Sequence, residues 1–345
     1  MINYNNHNIT GISYNNHSIK YVYGCGGNLV WSGGTGPTPP TPTGYTDQPL
    51  TLVFEGDGTF KLNKSLQYSL DSGSSWTTLA AYTNSPTINT NQKVMLRREQ
   101  VTSDSDSGTI TASTFFHAEG NAYSMLYGEN FSGQTELPPA HNRLRGLFKG
   151  CVGLSNIDNF VLPATTLLTG ENYYSMFSGC TSLTTVPTDL LPATTLAIGC
   201  YGSMFADCTS LTNVPNLPAT ALEDACYQLM FKNCSSITTV PSDLLPVTSL
   251  VERCYNGMFS GCSGLTTAPD LPALILAKTC YATMFYNCRN LNYIKCLARN
   301  IDAENCTQMW TGLVSSIGTF VKNPLMSSWT TGVDGIPDGW TVVDA

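Results

Sequence analysis

Between residues 48 and 120 apolar and polar side chains alternate in short runs, as in Leu50-Thr51-Leu52-Val53-Phe54, Leu66-Gln67-Tyr68-Ser69-Leu70 and Lys93-Val94-Met95-Leu96. Period-two alternation predicts half-buried strands. Turn residues at Gly56-Asp57-Gly58 and Asp71-Ser72-Gly73 separate them. Several short strands at this spacing predict a β-sandwich over 47–120. Upstream, Tyr4-Asn5-Asn6-His7-Asn8-Ile9 recurs as Tyr14-Asn15-Asn16-His17-Ser18-Ile19, which predicts small β-hairpins within 1–32. Hairpins of this size are marginal alone. Residues 1–32 are therefore expected to dock on a partner through Ile9, Ile12, Ile19, Tyr21 and Trp31. The Pro, Gly and Thr run inside 33–46 reads as a semi-rigid linker.

The pattern then changes in kind. The dipeptides Leu147-Phe148, Met176-Phe177, Met204-Phe205, Met230-Phe231, Met258-Phe259, Met284-Phe285 and Met309-Trp310 follow one another at 29, 28, 26, 28, 26 and 25 residues. Self-similarity at this period predicts a solenoid over 121–310, with 311–345 as its C-terminal cap. The alternation has a visible source: five residues from Pro187 to Pro192 and from Pro241 to Pro246, but three from Pro215 to Pro218 and from Pro269 to Pro272. Within a unit, Leu196, Cys200, Met204 and Cys208 recur every fourth residue, and the first three predict one face of a short helix of two to three turns per unit. Gly150, Gly179, Asp207, Asn233, Gly261 and Asn287 precede the last Cys, and these residue types suit a left-handed helix stop. Short runs such as Leu183-Thr184-Thr185-Val186 and Leu211-Thr212-Asn213-Val214 predict one strand per unit, stacked in parallel.

At Cys-Tyr-x-x-Met-Phe-x-x-Cys-x-Ser-Leu-Thr-x-x-Pro-x-Leu-Pro-Ala-Thr the chain resembles the BspA-like leucine-rich repeat family, found in gut bacteria and their bacteriophages. The resemblance covers roughly 140–310, and the tail Gly335-Ile336-Pro337-Asp338-Gly339-Trp340 is similar to ends that follow such repeats. Residues 9–32 resemble leader segments of phage structural proteins. The resemblance implies an α/β leucine-rich-repeat solenoid used for surface attachment or particle decoration. It points to a virion protein (head fibre, capsid decoration or tail appendage), the alternative being a bacterial cell-surface adhesin.

Composition sharpens this. Charged residues are 12% of the chain and the net charge is −8, with 16 basic residues, so nucleic acid is not an expected partner. The first residues carry neither a basic nor an apolar signal region, and no run approaches the length of a membrane span, so neither export by signal peptide nor membrane insertion is expected. The 13 Cys then read as thiols. Their recurrent eight-residue spacing, once per unit, suits buried packing positions rather than zinc pairs, and no metal, cofactor or catalytic residue is expected. Ser69-x-Asp71-x-Gly73-x-x-Trp76 matches the Asp-box of sialidases, but one copy with sparse Arg reads as a hairpin turn. Asp104-Ser105-Asp106-Ser107-Gly108 lacks the closing acid of a calcium loop and reads as a solvated turn. The candidate ligand surface is the column Thr184, Thr212, Thr238, Thr266 and Asn292, whose polar side chains could meet host glycans or proteins. Capsid or tail proteins are the expected partners of the N-terminal segment, with a homo-oligomer as a further expectation.

Overall fold

The computed structural model describes residues 44–98, 107–327 and 329–345, and the backbone of four short strands before them. The chain divides into two compact units, Met1–Gly44 and Tyr45–Ala345. In the first, β1 (Asn3–Tyr4) pairs antiparallel with β2 (His7–Asn8), and β3 (Tyr21–Tyr23) with β4 (Leu29–Ser32). Tyr21 and Trp31 therefore lie on neighbouring strands, with Val22 opposite Trp31. Ile9, Ile12, Ile19 and the linker as far as residue 43 lie outside the described residues, as do Asp104 and Asp106.

The second unit opens on a sheet. Its strands are β5 (Thr51–Phe54), β6 (Phe60–Leu62), β7 (Leu66–Ser69), β8 (Thr77–Leu79), β9 (Lys93–Arg97), β10 (Ile110–Ala112), β11 (Phe116–Asn121) and β12 (Leu154–Val161). The order is β12-β11-β5-β9-β7-β8, antiparallel except for the parallel pair β11 and β12. In place of a self-contained antiparallel sandwich, the sheet is mixed and takes its edge strand β12 from within the repeat region. Among the described residues the second layer is the antiparallel pair β6 and β10. Phe60 on β6 sits 6.4 Å from Phe54 and 6.0 Å from Tyr68, which holds that pair against the sheet. Phe116 then touches Phe148, and one hydrophobic core runs from Leu50 to Trp340.

The repeats form no helices. Among the described residues the only α-helix is α1 (Ser124–Tyr127), so the expected helix per unit is overturned. The reason lies in the period. An α-helix turns every 3.6 residues, so a residue placed every fourth position drifts by about 40° per step and leaves the face. The segments instead form successive four-residue turns, and a period of four keeps Cys200, Met204 and Cys208 on one side.

Backbone hydrogen bonds show how these turns stack into tiers. Gly199, Tyr201, Ser203, Phe205 and Asp207 donate their N–H to Asp224, Cys226, Gln228, Met230 and Lys232 of the next tier. The residues between them donate back three positions, as in Gly202 to Gly199 and Met204 to Tyr201. The same alternation recurs from tier to tier, so the polar backbone of a buried stack is satisfied without helix or sheet. Each tier turns through left-handed backbone at three points four residues apart: Gly199, Ser203 and Asp207 in one, Ala225, Leu229 and Asn233 in the next. The third point is the one read from sequence, with φ from 60° to 79° at Gly150, Gly179, Asp207, Asn233, Gly261 and Asn287.

The turns leave two positions in every four pointing inwards. One inner column is Phe148, Phe177, Phe205, Phe231, Phe259 and Phe285, stacked at 5.5–6.1 Å with planes within 15°. A second is Tyr173, Tyr201, Tyr227, Tyr255 and Tyr281 at 5.8–6.2 Å. Each stacked pair contributes about 0.5–1.5 kcal/mol beyond burial. On the outside, bulky side chains lean over glycines of the following tier. A Cβ on Gly202 would fall 2.7 Å from the Tyr174 ring, and one on Gly257 2.4 Å from Leu229.

The expected strands form only at the ends of the stack. Between interior tiers, single bonds such as Thr212 N–H to Thr184 O replace a ladder. Asn213 bonds both the N–H and the C=O of Val186 with its side-chain amide, occupying groups a strand would have paired. A parallel sheet appears at the C-terminal end, from β13 (Tyr293–Cys296), β14 (Thr319–Lys322) and β15 (Thr341–Asp344). The last tier also corrects an alignment. Phe285 donates to Trp310 O where earlier Phe residues bond a Met, so Trp310 occupies the Met position and Met309 a left-handed turn, φ 53°. Met284 to Trp310 restores a 26-residue step in place of 25.

Candidate functional site

The thiols recur in every tier of the stack, and their placement fixes what they can do. All 12 described Cys are unpaired and buried. In the outer row the S–H donates to a main-chain carbonyl of the preceding tier: Cys180 to Phe148, Cys208 to Phe177, Cys234 to Phe205, Cys262 to Phe231 and Cys288 to Phe259, at 3.0–3.1 Å. Those carbonyls already accept an N–H, so the thiol fills the second lone pair. This explains why a polarisable donor, rather than a plain aliphatic residue, recurs there. Burial pushes Cys200, Cys208, Cys254, Cys288 and Cys296 up to about 12. Near neutral pH roughly one such thiol in 10^5 is a thiolate, far too few for a nucleophile. Among the described residues no group of three or more His, Cys, Asp or Glu is arranged to hold a metal ion. His117 faces Glu55 at 3.6 Å, and His141 is exposed beside an open groove lined by Leu168, Glu171, Ile198 and Glu223.

The threonine column does face solvent. Thr184, Thr212, Thr238 and Asn292 are exposed and Thr266 is half-buried. Its hydroxyls are not all available, however. Thr212 Oγ1 donates to Thr184 O at 2.9 Å, and Thr266 Oγ1 to Thr238 O at 3.2 Å, so both keep only acceptor capacity for a ligand. The two donors reinforce the same inter-tier contacts as their own N–H groups.

The Asp-box is a turn between β7 and β8. Asp71 accepts from Ser75 N–H at 2.9 Å, Ser75 Oγ at 2.6 Å and Ser69 Oγ at 2.7 Å. These bonds, those from Ser75 and Ser69 foremost, lower its carboxyl to about 2. Trp76 Nε1 closes the turn on Gly73 O at 3.1 Å, and the Arg97 guanidinium lies 4.1 Å over the Trp76 ring. Every oxygen of the carboxylate is thus engaged locally, as a hairpin brace requires.

No family model, curated protein or solved structure matches the chain. What sequence reasoning missed was the tyrosine column and the thiol-to-carbonyl bond. The first left a trace, since Tyr follows Cys in four consecutive units (Cys200-Tyr201, Cys226-Tyr227, Cys254-Tyr255, Cys280-Tyr281). The second left none beyond the persistence of Cys.

Proposed function

We propose that this chain is a non-enzymatic structural protein of a bacteriophage virion, a head fibre, capsid decoration or tail appendage. Residues 1–32 anchor it to a capsid or tail protein, and the stacked repeats, a BspA-like leucine-rich-repeat domain by resemblance, are presented for attachment to host glycans or proteins. One observation carries this reading: the repeats bury their thiols and the tyrosine column inside the stack, in a chain of low charge content. That suits presentation rather than turnover. The separate compactness of Met1–Gly44 agrees with an anchor that is independent of the displayed part.

Mass spectrometry of purified virions tests the reading directly. The chain is expected in stoichiometric amounts, and deletion of residues 1–32 is expected to abolish incorporation while Tyr45–Ala345 stays folded. Recovery from a bacterial envelope instead of particles would select the surface-adhesin alternative. For the ligand face, replacing Thr184, Thr212, Thr238 and Thr266 with Lys is expected to remove binding on a glycan array. Binding that survives these replacements lies elsewhere on the molecule.

A further inference from the structure

The C-terminal sheet ends on an open edge. Among the described residues nothing pairs with the outer side of β15, and all four of its residues are exposed. Val342 and Val343 are 44% and 41% exposed. Thr341 N–H donates inwards to Gly318 O at 2.8 Å and Ala345 N–H to Lys322 O at 2.9 Å. Parallel pairing alternates by residue, so Val342 and Asp344 turn their N–H and C=O outwards. By contrast β8, an edge of the six-stranded sheet, is only three residues long and is followed at once by turns. An edge with exposed valines and outward amides is a template for a further strand.

We propose that β15 pairs antiparallel with β15 of a second copy of this chain, on a two-fold axis at Val343. The register follows from which groups point outwards. Centred on Val343, residue 342 of each copy meets residue 344 of the other, which makes two hydrogen-bonded pairs and places Val343 against the partner's Val343. Centred on Val342, only that single residue pairs with itself. Centred on Asp344, two carboxylates would lie opposite one another, which is destabilising. A shift by one residue turns outward groups against inward ones. The charges agree with the central register, since Asp344 is held by Lys322 Nζ at 2.5 Å within its own copy. The result is one continuous sheet, β13-β14-β15 of each copy joined edge to edge.

The contact is small, so affinity in the micromolar range or weaker is expected for free protein. The decisive experiment therefore reads register, in the full chain with Cys25 replaced by Ser. In the proposed pairing Val343 and the partner's Val343 form a non-hydrogen-bonded pair with Cα atoms about 4.5 Å apart, within disulfide reach. Under mild oxidation at about 100 µM, Val343→Cys is expected to give at least tenfold more covalent dimer on a non-reducing gel than Val342→Cys. Val342→Pro, which removes an outward N–H and leaves the bonds to β14 in place, is expected to remain folded by circular dichroism and to sediment as a monomer where the parent chain shows dimer. Equal cross-linking at both positions, or none at Val343→Cys, overturns the proposal. So does a dimer that survives Val342→Pro, which would place the contact on another surface.

Discussion

The sheet around Phe60 and the turn stack around Phe231 bury similar residues, but they do so by opposite rules. In the sheet each aromatic meets a different neighbour at a different angle: Phe54 and Phe60 are tilted at 54°, Phe60 and Tyr68 nearly perpendicular at 84°. In the stack each ring meets its own counterpart, Phe205 on Phe231 at 3° and Phe177 on Phe205 at 4°. The sheet thus needs a separate solution at every position, whereas the stack needs one solution that repeats. A defect in the sheet is local. A defect in the stack sits in a column shared by all tiers.

Alkali is expected to separate the two regions most strongly. The stack's thiols have raised folded-state values, so they favour the fold below the ordinary thiol pKa near 8.5 and lose that contribution as pH rises towards about 12. Each thiol adds to the destabilisation as pH climbs through that window, because ionisation is favoured only once the chain opens. No Cys lies between residues 45 and 150. Hydrogen exchange between pH 9 and 11 should therefore show the tiers opening before β5, β7 and β9. Simultaneous opening would mean that the shared core, not the thiols, sets the transition.

Removing a ring comes next. Phe231→Ala should cost about 3–5 kcal/mol in chemical denaturation. It should also reduce exchange protection in the tiers of Phe205 and Phe259, whereas Phe60→Ala should weaken only the sheet. A smaller effect is expected at the left-handed turns, and here the sign depends on the residue. Gly261→Ala sets a Cβ 2.1 Å from Asn233 Oδ1 at φ 79° and should cost about 1–3 kcal/mol. Ala225→Gly relieves a left-handed alanine at φ 55° and, after the entropic cost of glycine, should be neutral or mildly stabilising by denaturant midpoint. The smallest effect belongs to the exposed turn at Asp71. Its lowered carboxyl supports the hairpin above about pH 4 and loses that support as pH falls to about 2. Trp76 fluorescence should report local loosening there on Asp71→Ala while the tiers remain intact.

Why the stack was only partly legible follows from the same contrast. Burial of Cys, Met and Phe, the length alternation at the proline loops and the left-handed position before each outer Cys were all readable, because each recurs. A recurrence at every fourth residue is nevertheless shared by a short helix and by four-residue turns, and over three steps the two differ little. The fourth member, Cys208, did not discriminate, because a helix that stops at Asp207 also leaves that Cys free to pack back after its cap. Threonine runs looked like strands because Thr favours them, but Asn213 takes the hydrogen bonds of Val186 through its side chain, a substitution invisible to periodicity. The last tier misled for a simpler reason: a Met beside an aromatic imitates the motif one residue out of step.

Among the stacked turns the backbone hydrogen bonds between tiers run one way, which gives that side of the stack an electrical direction. There the N–H groups of alternate turn residues, such as Gly199, Tyr201 and Ser203, point towards the C-terminal end and the matching carbonyls towards the N-terminal end, whereas on the threonine side bonds such as Thr212 N–H to Thr184 O run the other way. Aligned peptide dipoles sum, as they do in a helix, but here the positive pole lies at the C-terminal end, the reverse of the helical case. That end is closed by acceptors: Asp334 Oδ1 takes the N–H of Met309 at 2.6 Å, and Val333 O takes that of Thr311 at 3.1 Å. An aspartate is well placed there because it brings lone pairs and negative charge to the pole that lacks both. The two ends of the stack are therefore chemically unlike, and a terminal segment that closes one could not serve to close the other.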